Sequence, residues 1–338
     1  MSATGRKVSL TGIKPTGEPH LGNYIGAIVP ALELADSYES VYFIADYHAL
    51  TTIRDPALLR RYTRSVAATW LAAGLDPDLT VFYRQSDVPE TFELCWVLSC
   101  LTSKGLMNRA HAYKAARDRN QAAGTDLDAG VNMGLFNYPV LMAVDILLNE
   151  ADVVPVGRDQ LQHVEYAADI AGAFNSVYGD RYAFKIPAPV VPPDDSAHTL
   201  PGTDGRKMSK SYDNVIPLFV PEAQLRKVIR RIPTDSVPLE APKDPDTSVL
   251  FQLFARFGEP ALVADTRTRL LTGGMGWGTV KAQLTEAVDG RFAPMRDRYE
   301  ELMAAGSELD GLLANGADKA RKHTRPVLDQ VRDAIGIT

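Results

Sequence analysis

The chain has 338 residues, 45% of them hydrophobic, enough to bury one large core or two smaller ones. Its 36 Lys and Arg stand against 42 Asp and Glu, a formal charge of −6, so any polyanion must be met by a local basic patch rather than by the whole molecule. The opening MSATGRKVSL has no long apolar run, no stretch reaches ~18 uncharged apolar residues, and Cys95 and Cys100 lack metal-ligand spacing, which predicts a cytoplasmic protein with two reduced cysteines and no membrane span.

Strand-like runs recur at 8–12 (VSLTG), 41–46 (VYFIAD), 80–84 (TVFYR) and 153–157 (VVPVG). Helical stretches fall between them. Residues 55–74 have Asp55 at the N-cap position, Pro56 at the first helical position and Gly74 as a stop. Residues 88–101 and 159–175 read as further helices. Strands alternating with helices predict an α/β fold built on a doubly wound, mostly parallel sheet. In such sheets ligands bind beyond the carboxyl ends of the strands.

Residues 110–132 lose apolar periodicity and gain charge and glycine, which predicts a mobile insertion. Residues 192–214 form a Pro-, Gly- and Ser-rich loop that ends the α/β part. From about residue 217 amphipathic patterns predict helices. The expected division is an α/β domain over 1–212 and a helical region over 213–338, its last helix packing back on the first domain. No internal repeat or low-complexity tract interrupts it.

The stretch GIKPTGEPHLGNYIG (12–26) joins the first strand to the first helix. Glycines there let backbone amides approach an anion, and the helix start favours negative charge. The same glycines and prolines also serve as simple turn formers. Two nucleotide signatures fail: the glycines at 12, 17, 22 and 26 do not make G-x-G-x-x-G, and Glu18-Pro19 stands where a P-loop needs Lys followed by Ser or Thr. Farther on, KMSKS (207–211) sets two lysines three residues apart in the glycine-rich loop. Lysines so placed can close on a pyrophosphate leaving group and compensate its charge as it develops.

HLGN (20–23) resembles the HIGH motif of class I aminoacyl-tRNA synthetases, and KMSKS stands intact. The wider frame TGIKPTGEPHLGNYIGAI, NYPVLMAVDILL (137–148) and VPVGRDQLQHVEYAADIAGAFN (154–175) is similar to the bacterial-type tryptophanyl-tRNA synthetases, nearly end to end. The resemblance implies a Rossmann-like catalytic domain followed by a helical region that grips the anticodon. It implies a two-step reaction: tryptophan's carboxylate attacks the α-phosphate of ATP, and the adenylate's acyl group then passes to a ribose hydroxyl of tRNA.

By position, the resemblance assigns His20, Asn23, Lys207, Lys210 and Ser211 to catalysis. ATP would also be held by Lys14, Pro15, Thr16, Gly22, Gly157, Arg158, Asp159, Met208 and Ser209. Tyr138 and Gln160 would hold the ammonium and carboxylate of tryptophan, with Lys14 nearby, and Met142 and His48 would wall the indole. A lone tyrosine, methionine or histidine is more often core, so these roles rest on the resemblance. Asp145 has a reason of its own. It sits in an apolar helix, three or four positions from Leu141, Met142 and Leu148. It could be a surface or capping carboxylate; buried, it needs a donor, and an indole N–H is donor-only. A pocket that reads an N–H needs no editing step, and no editing-sized insertion lies between Asn23 and Lys207.

One departure from the family pattern is Lys14, where most bacterial members carry glutamine. It adds a positive charge and removes an amide acceptor, implying lower sensitivity to indole-bearing mimics such as indolmycin. Mg²⁺ is expected to travel with ATP, without a dedicated protein metal site. Arg226, Lys227, Arg230 and Arg231 are candidates to meet tRNA, as are Lys319, Arg321, Lys322 and Arg325. Each cluster reads equally as a solvated helix face. The expected partners are L-tryptophan, ATP, tRNA and a second copy of the chain, with no membrane and no DNA. Competing readings are a tyrosine-activating relative, a smaller HIGH-containing nucleotidyltransferase and a paralogue that has lost catalysis.

Overall fold

The strand Glu39–Ile44 shows how the interior is divided. Val41 and Phe43 point into one apolar cluster and Tyr42 and Ile44 into another, and all four are buried. That is the pattern of a strand covered on both faces. The computed structural model describes residues 5–157, 160–191 and 199–337. Its strands are β1 (Val8–Ile13), β2 (Glu39–Ile44), β3 (Val81–Arg84), β4 (Val153–Pro155) and β5 (Ala188–Val190). They lie in the order β3-β2-β1-β4-β5, and every pair is parallel.

β5 is the strand that the sequence pattern hides. It is three residues long with Pro189 at its centre, and a proline without an amide is tolerated because the strand lies at the sheet edge.

Helix α1 covers residues 21–34 and widens to a π-type turn at Tyr24–Ile28, just before Pro30, which has no amide for a regular rung. α2 (Pro56–Ala72) starts as the sequence predicts: the Asp55 carboxylate accepts from the amides of Ala57 and Leu58. Then follow α3 (Glu90–Leu101), α4 (His111–Ala122), α5 (Met133–Leu148) and α6 (Leu161–Tyr178).

α4 lies inside the segment expected as a mobile insertion, for which the sequence pattern gave no helix. Its composition of Ala, Arg, Lys and Gln favours helix, but only Tyr113 and Ala116 are buried, so no apolar stripe marks it in the sequence. The Tyr113 hydroxyl donates to Asp128 at 2.7 Å and draws the following turn onto the helix.

The carboxyl-terminal part contains α7 (Glu222–Arg230), α8 (Val249–Phe257), α9 (Pro260–Thr272), α10 (Trp277–Ala304) and α11 (Gly306–Ile335). α10 packs on α2, α7 and α8, and α11 runs back along β3. The approach to β3 is close: a Cβ on Gly316 would stand 1.7 Å from the Phe82 carbonyl oxygen. Ion pairs fasten the same helix. Buried Glu90 accepts from Arg321 Nε and Nη2 at 3.0 and 2.8 Å, and Lys319 Nζ donates to the Pro77 carbonyl. Lys319 and Arg321, cations expected to face tRNA, are thus engaged within the chain. A charged residue near a chain terminus reads as solvated until its partner is known.

Gly316→Ala is therefore expected to destabilise the fold by about 1–3 kcal/mol, because backbone rather than a movable side chain opposes the new methyl. Gly311→Ala, on the same helix with nothing within 4 Å, should be neutral or stabilise by up to about 1 kcal/mol. Chemical denaturation of the two variants side by side checks this.

Candidate active site

Strand order reverses between β1 and β4, and above their carboxyl ends opens a cleft of about 1400 Å³. Thr11 and Gly12 from β1 and Val154 and Pro155 from β4 form part of its wall.

The loop from β1 to α1 is shaped by Gly17 and Glu18. Gly17 has φ +138°, a value that side chains disfavour, and its bare Cα admits the Lys210 ammonium, 2.9 Å from where a Cβ would stand. The Glu18 carboxylate accepts from Arg61 at 2.8 Å, from the Ser65 hydroxyl and from the Tyr299 hydroxyl at 3.3 Å, which anchors the loop to α2 and α10.

His20 stands immediately before α1, and its amide donates to Asn23 Oδ1 at 3.1 Å. The imidazole is buried, and its Nδ1 has no partner among the described residues. Burial, and after it the positive charge of Lys210, push its pKa down to about 4, so the ring is neutral at physiological pH. A neutral ring still offers one N–H to an anion.

The lysine loop is stitched to this helix start. The Leu21 amide donates to the Ile216 carbonyl at 3.0 Å, and His20 pairs with Pro217 in an antiparallel bridge. The Gly22 amide donates to Met208 Sδ at 3.2 Å. Asn214, almost wholly buried, holds the loop from inside. Its Oδ1 accepts from the Ser209 amide at 2.8 Å, and its Nδ2 donates to Asp204 at 2.7 Å and to the Lys207 carbonyl at 3.2 Å. The Lys210 ammonium is held below its usual pKa by burial, with Glu18 opposing.

His20, Gly22, Asn23, Lys207, Met208 and Ser209 line the cleft. Pro15, Thr16, Lys210 and Ser211 belong to the two loops but not to that lining. Gly157 lines it as well, whereas Arg158, Asp159 and the 192–198 part of the lysine loop lie outside the described residues.

Lys14, His48, Tyr138, Met142, Asp145 and Gln160 also face the cleft. Asp145 is 3% exposed. Its Oδ2 meets His48 Nε2 at 3.0 Å, and Gln85 Nε2 donates to Oδ1 and Oδ2 at 2.7 and 2.8 Å. Burial raises the Asp145 pKa, while His48 and Gln85 oppose the rise. A carboxylate has about four acceptor positions, so these three contacts leave room for a donor from the cleft. Lys14 Nζ donates to Thr51 Oγ1 at 2.9 Å, and burial of the ammonium lowers its pKa. Tyr138 Oη lies 2.8 Å from His163 Nε2, and His163 Nδ1 lies 2.8 Å from Gln160 Oε1.

Gln85, His163 and Asn214 are partners that the sequence reading passed over. The first two carried a signal: Gln85 directly follows β3, and His163 stands one turn after Gln160 on α6. Arg226, Lys227, Arg230 and Arg231 are exposed on or just after α7 and contribute nothing to the cleft, and Arg226 is paired with Glu222. Among the described residues no cluster of three or more His, Cys, Asp or Glu could hold a metal ion, and no helix is long and apolar enough to cross a membrane.

A family model described as tRNA synthetases class I (W and Y) matches residues 3–293. The tryptophan–tRNA ligase of Xanthomonas campestris pv. campestris is 54% identical over 97% of this chain and 76% of its own length. That of Pseudomonas aeruginosa is 52% identical over 97% of this chain and 73% of its own. The crystal structure of tryptophanyl-tRNA synthetase from Campylobacter jejuni, complexed with ADP and tryptophan, is 41% identical with a TM-score of 0.89, covering 97% of this chain and 99% of that one. The enzyme from Mycoplasma pneumoniae is 27% identical with a TM-score of 0.76, covering 98% of both chains.

The buried His20 makes a pH prediction. Its pKa falls from 6.5 in the unfolded chain to about 4 in the fold, so the unfolded state binds more protons between those values. The stability that its neutral form contributes is complete above pH 6.5 and is lost as pH falls towards 4. Denaturation midpoints measured across that window should fall less steeply for His20→Asn than for the unmodified chain; equal slopes would contradict the assignment.

Proposed function

The chain belongs to the tryptophan–tRNA ligases of the class I tRNA synthetases, and we propose that it activates L-tryptophan with ATP and transfers it to tRNA. In the first step the tryptophan carboxylate attacks the α-phosphate in line, forming tryptophanyl-adenylate and releasing pyrophosphate. In the second, a ribose hydroxyl of the tRNA terminal adenosine attacks the acyl carbon and AMP leaves. Neither step needs an enzyme nucleophile. The protein's part is positioning and charge compensation.

The phosphates lie between the two stitched segments. The neutral His20 ring, which lines the cleft, donates its one N–H to a phosphate oxygen. Asn23 and the start of α1 meet the same charge, and Lys207 and Lys210 compensate the leaving pyrophosphate, with Ser209 and Ser211 beside them. Lys14, Pro15 and Thr16 border this end, Gly157 admits the nucleotide closely, and Arg158 and Asp159 are assigned to it by sequence position alone. Mg²⁺ comes with ATP, carried mainly by phosphates and waters.

The amino acid lies over α5. Asp145 accepts the indole N–H, Met142 and His48 wall the ring, and Tyr138 and Gln160 take the ammonium and carboxylate. That the Campylobacter jejuni relative is complexed with ADP and tryptophan supports an adenine nucleotide and tryptophan as the ligands. We assign residues 1–212 to catalysis and 213–338 to the anticodon, with Arg226, Lys227, Arg230 and Arg231 among the exposed basic residues on that side. A homodimer is supported by Phe92 and Trp96 on α3, large apolar side chains left 48% and 74% exposed.

The observation that carries the substrate assignment is a carboxylate buried in the wall of the cleft with an acceptor position to spare. Asp145→Asn should lower kcat/KM for tryptophan about 10- to 100-fold, the cost of a mispaired buried polar group, with the KM for ATP little changed. Steady-state adenylate formation measures both. An unaltered kcat/KM for tryptophan would remove Asp145 from the reading.

A further inference from the structure

We propose that Asp46, a carboxylate outside the lining of the cleft, positions the two side chains that hold Asp145 and so sets how strictly the pocket reads an indole N–H. The inference rests on the reading above, in which Asp145 accepts that N–H. It makes Asp46 a positioning residue that acts through His48 and Gln85.

The two partners of Asp145 hang from the ends of two neighbouring strands. His48 lies on the single helical turn Asp46–Ala49 that follows β2, and Gln85 opens the short turn Gln85–Asp87 that follows β3. The parallel ladder between these strands ends at the pair Ile44 and Arg84. Past that pair a side chain makes the tie. Asp46 Oδ1 accepts from the Ser86 amide at 3.1 Å and from the Tyr47 amide at 3.0 Å, and Oδ2 accepts from the Ser86 hydroxyl. One carboxylate thus fastens the turn that carries His48 to the turn that carries Gln85.

The spacing of those turns matters because of how Asp145 is met. Gln85 is 1% exposed, and its Nε2 donates to both Asp145 oxygens, whereas its Oε1 has no partner among the described residues. An amide bonded at one end only takes its place from the backbone that carries it. His48 Nε2 meets Asp145 Oδ2 at 3.0 Å from the other turn. These bonds converge on one carboxylate, and hydrogen bonds weaken steeply as distance and angle depart from the optimum. A recognition group is held in register by such support from behind. Asp46, Gln85 and Ser86 do not line the cleft, so the tie works on a ligand through the groups it sets.

The test compares tryptophan with its isostere 3-benzothienylalanine, in which sulfur replaces the indole N–H. Tryptophan is followed by kcat/KM in adenylate formation, and the sulfur analogue by its inhibition constant against tryptophan-dependent pyrophosphate exchange. Asp46→Ala should lower kcat/KM for tryptophan about 10- to 30-fold, while the analogue's inhibition constant and the KM for ATP stay within about twofold. Asp46→Asn keeps an acceptor for both amides and offers a donor to the Ser86 hydroxyl, so it should restore tryptophan to within about twofold of the unmodified chain. Ser86→Ala removes the hydroxyl bond alone and should give the same selective loss at about fivefold, which carries the test if Asp46→Ala does not fold. On an Asp145→Asn background, Asp46→Ala should cost tryptophan no more than about twofold further.

Equal weakening of tryptophan and the sulfur analogue, or the full Asp46→Ala loss repeated on the Asp145→Asn background, would make Asp46 an ordinary structural contact and overturn the inference. An Asp145→Asn variant with unaltered kcat/KM for tryptophan would instead overturn the pocket reading beneath it, and the inference with it.

Discussion

The start of α1 is bound to the segment that follows the lysine loop, and the cleft takes its shape from that tie. The Leu21 amide reaches Ile216, His20 pairs with Pro217, and the Gly22 amide reaches Met208, 186 positions away in sequence. Each contact is modest alone. Together they set a helix start, with its positive dipole end, beside two lysines. Gly22 is part of the fit: a Cβ there would stand 3.0 Å from His20 Nδ1 and 3.2 Å from Met208 Cβ. Asn214 braces the lysine loop from beneath and Glu18 braces the glycine-rich loop through Ser65 and Tyr299, so both halves are held by partly buried polar bonds rather than by loop stiffness.

The other end of the cleft depends on desolvation. Asp145 is kept from water yet engaged by His48 and Gln85, which hold the carboxylate facing its neighbours. Such a group discriminates by what it lacks. A ligand without a donor leaves it under-satisfied in a low-dielectric wall, and that cost exceeds what one hydrogen bond gains in water. His20 illustrates the same physics with the opposite sign: burial and a neighbouring cation keep it neutral, so it offers a dipole rather than a charge.

Much of this was legible in the chain. Asp55, Pro56 and Gly74 marked α2 to within two residues, and four of the strands announced themselves through apolar runs. The two motifs HLGN and KMSKS could be placed at opposite ends of the α/β part through their resemblance to class I synthetase motifs. What was hidden had physical reasons. α4 buries too few side chains to leave a periodic trace, and β5 is short and centred on proline. Lys319 and Arg321 looked like free cations because Pro77 and Glu90, which they meet, lie more than two hundred residues earlier. Gln85, His163 and Asn214 are hydrogen-bonded to other residues of the cleft and its loops, and a side chain that meets another side chain across the fold has no motif of its own.

The account's central claim is that this cleft selects tryptophan and joins it to AMP. Exchange of labelled pyrophosphate into ATP, run in parallel with tryptophan and with tyrosine, tests it most directly. Exchange that depends on tryptophan and is absent with tyrosine is the predicted result. Exchange with tyrosine at a comparable rate would contradict the role of Asp145 while leaving the chemistry of the two stitched loops in place, and no exchange with either amino acid would contradict the activity itself.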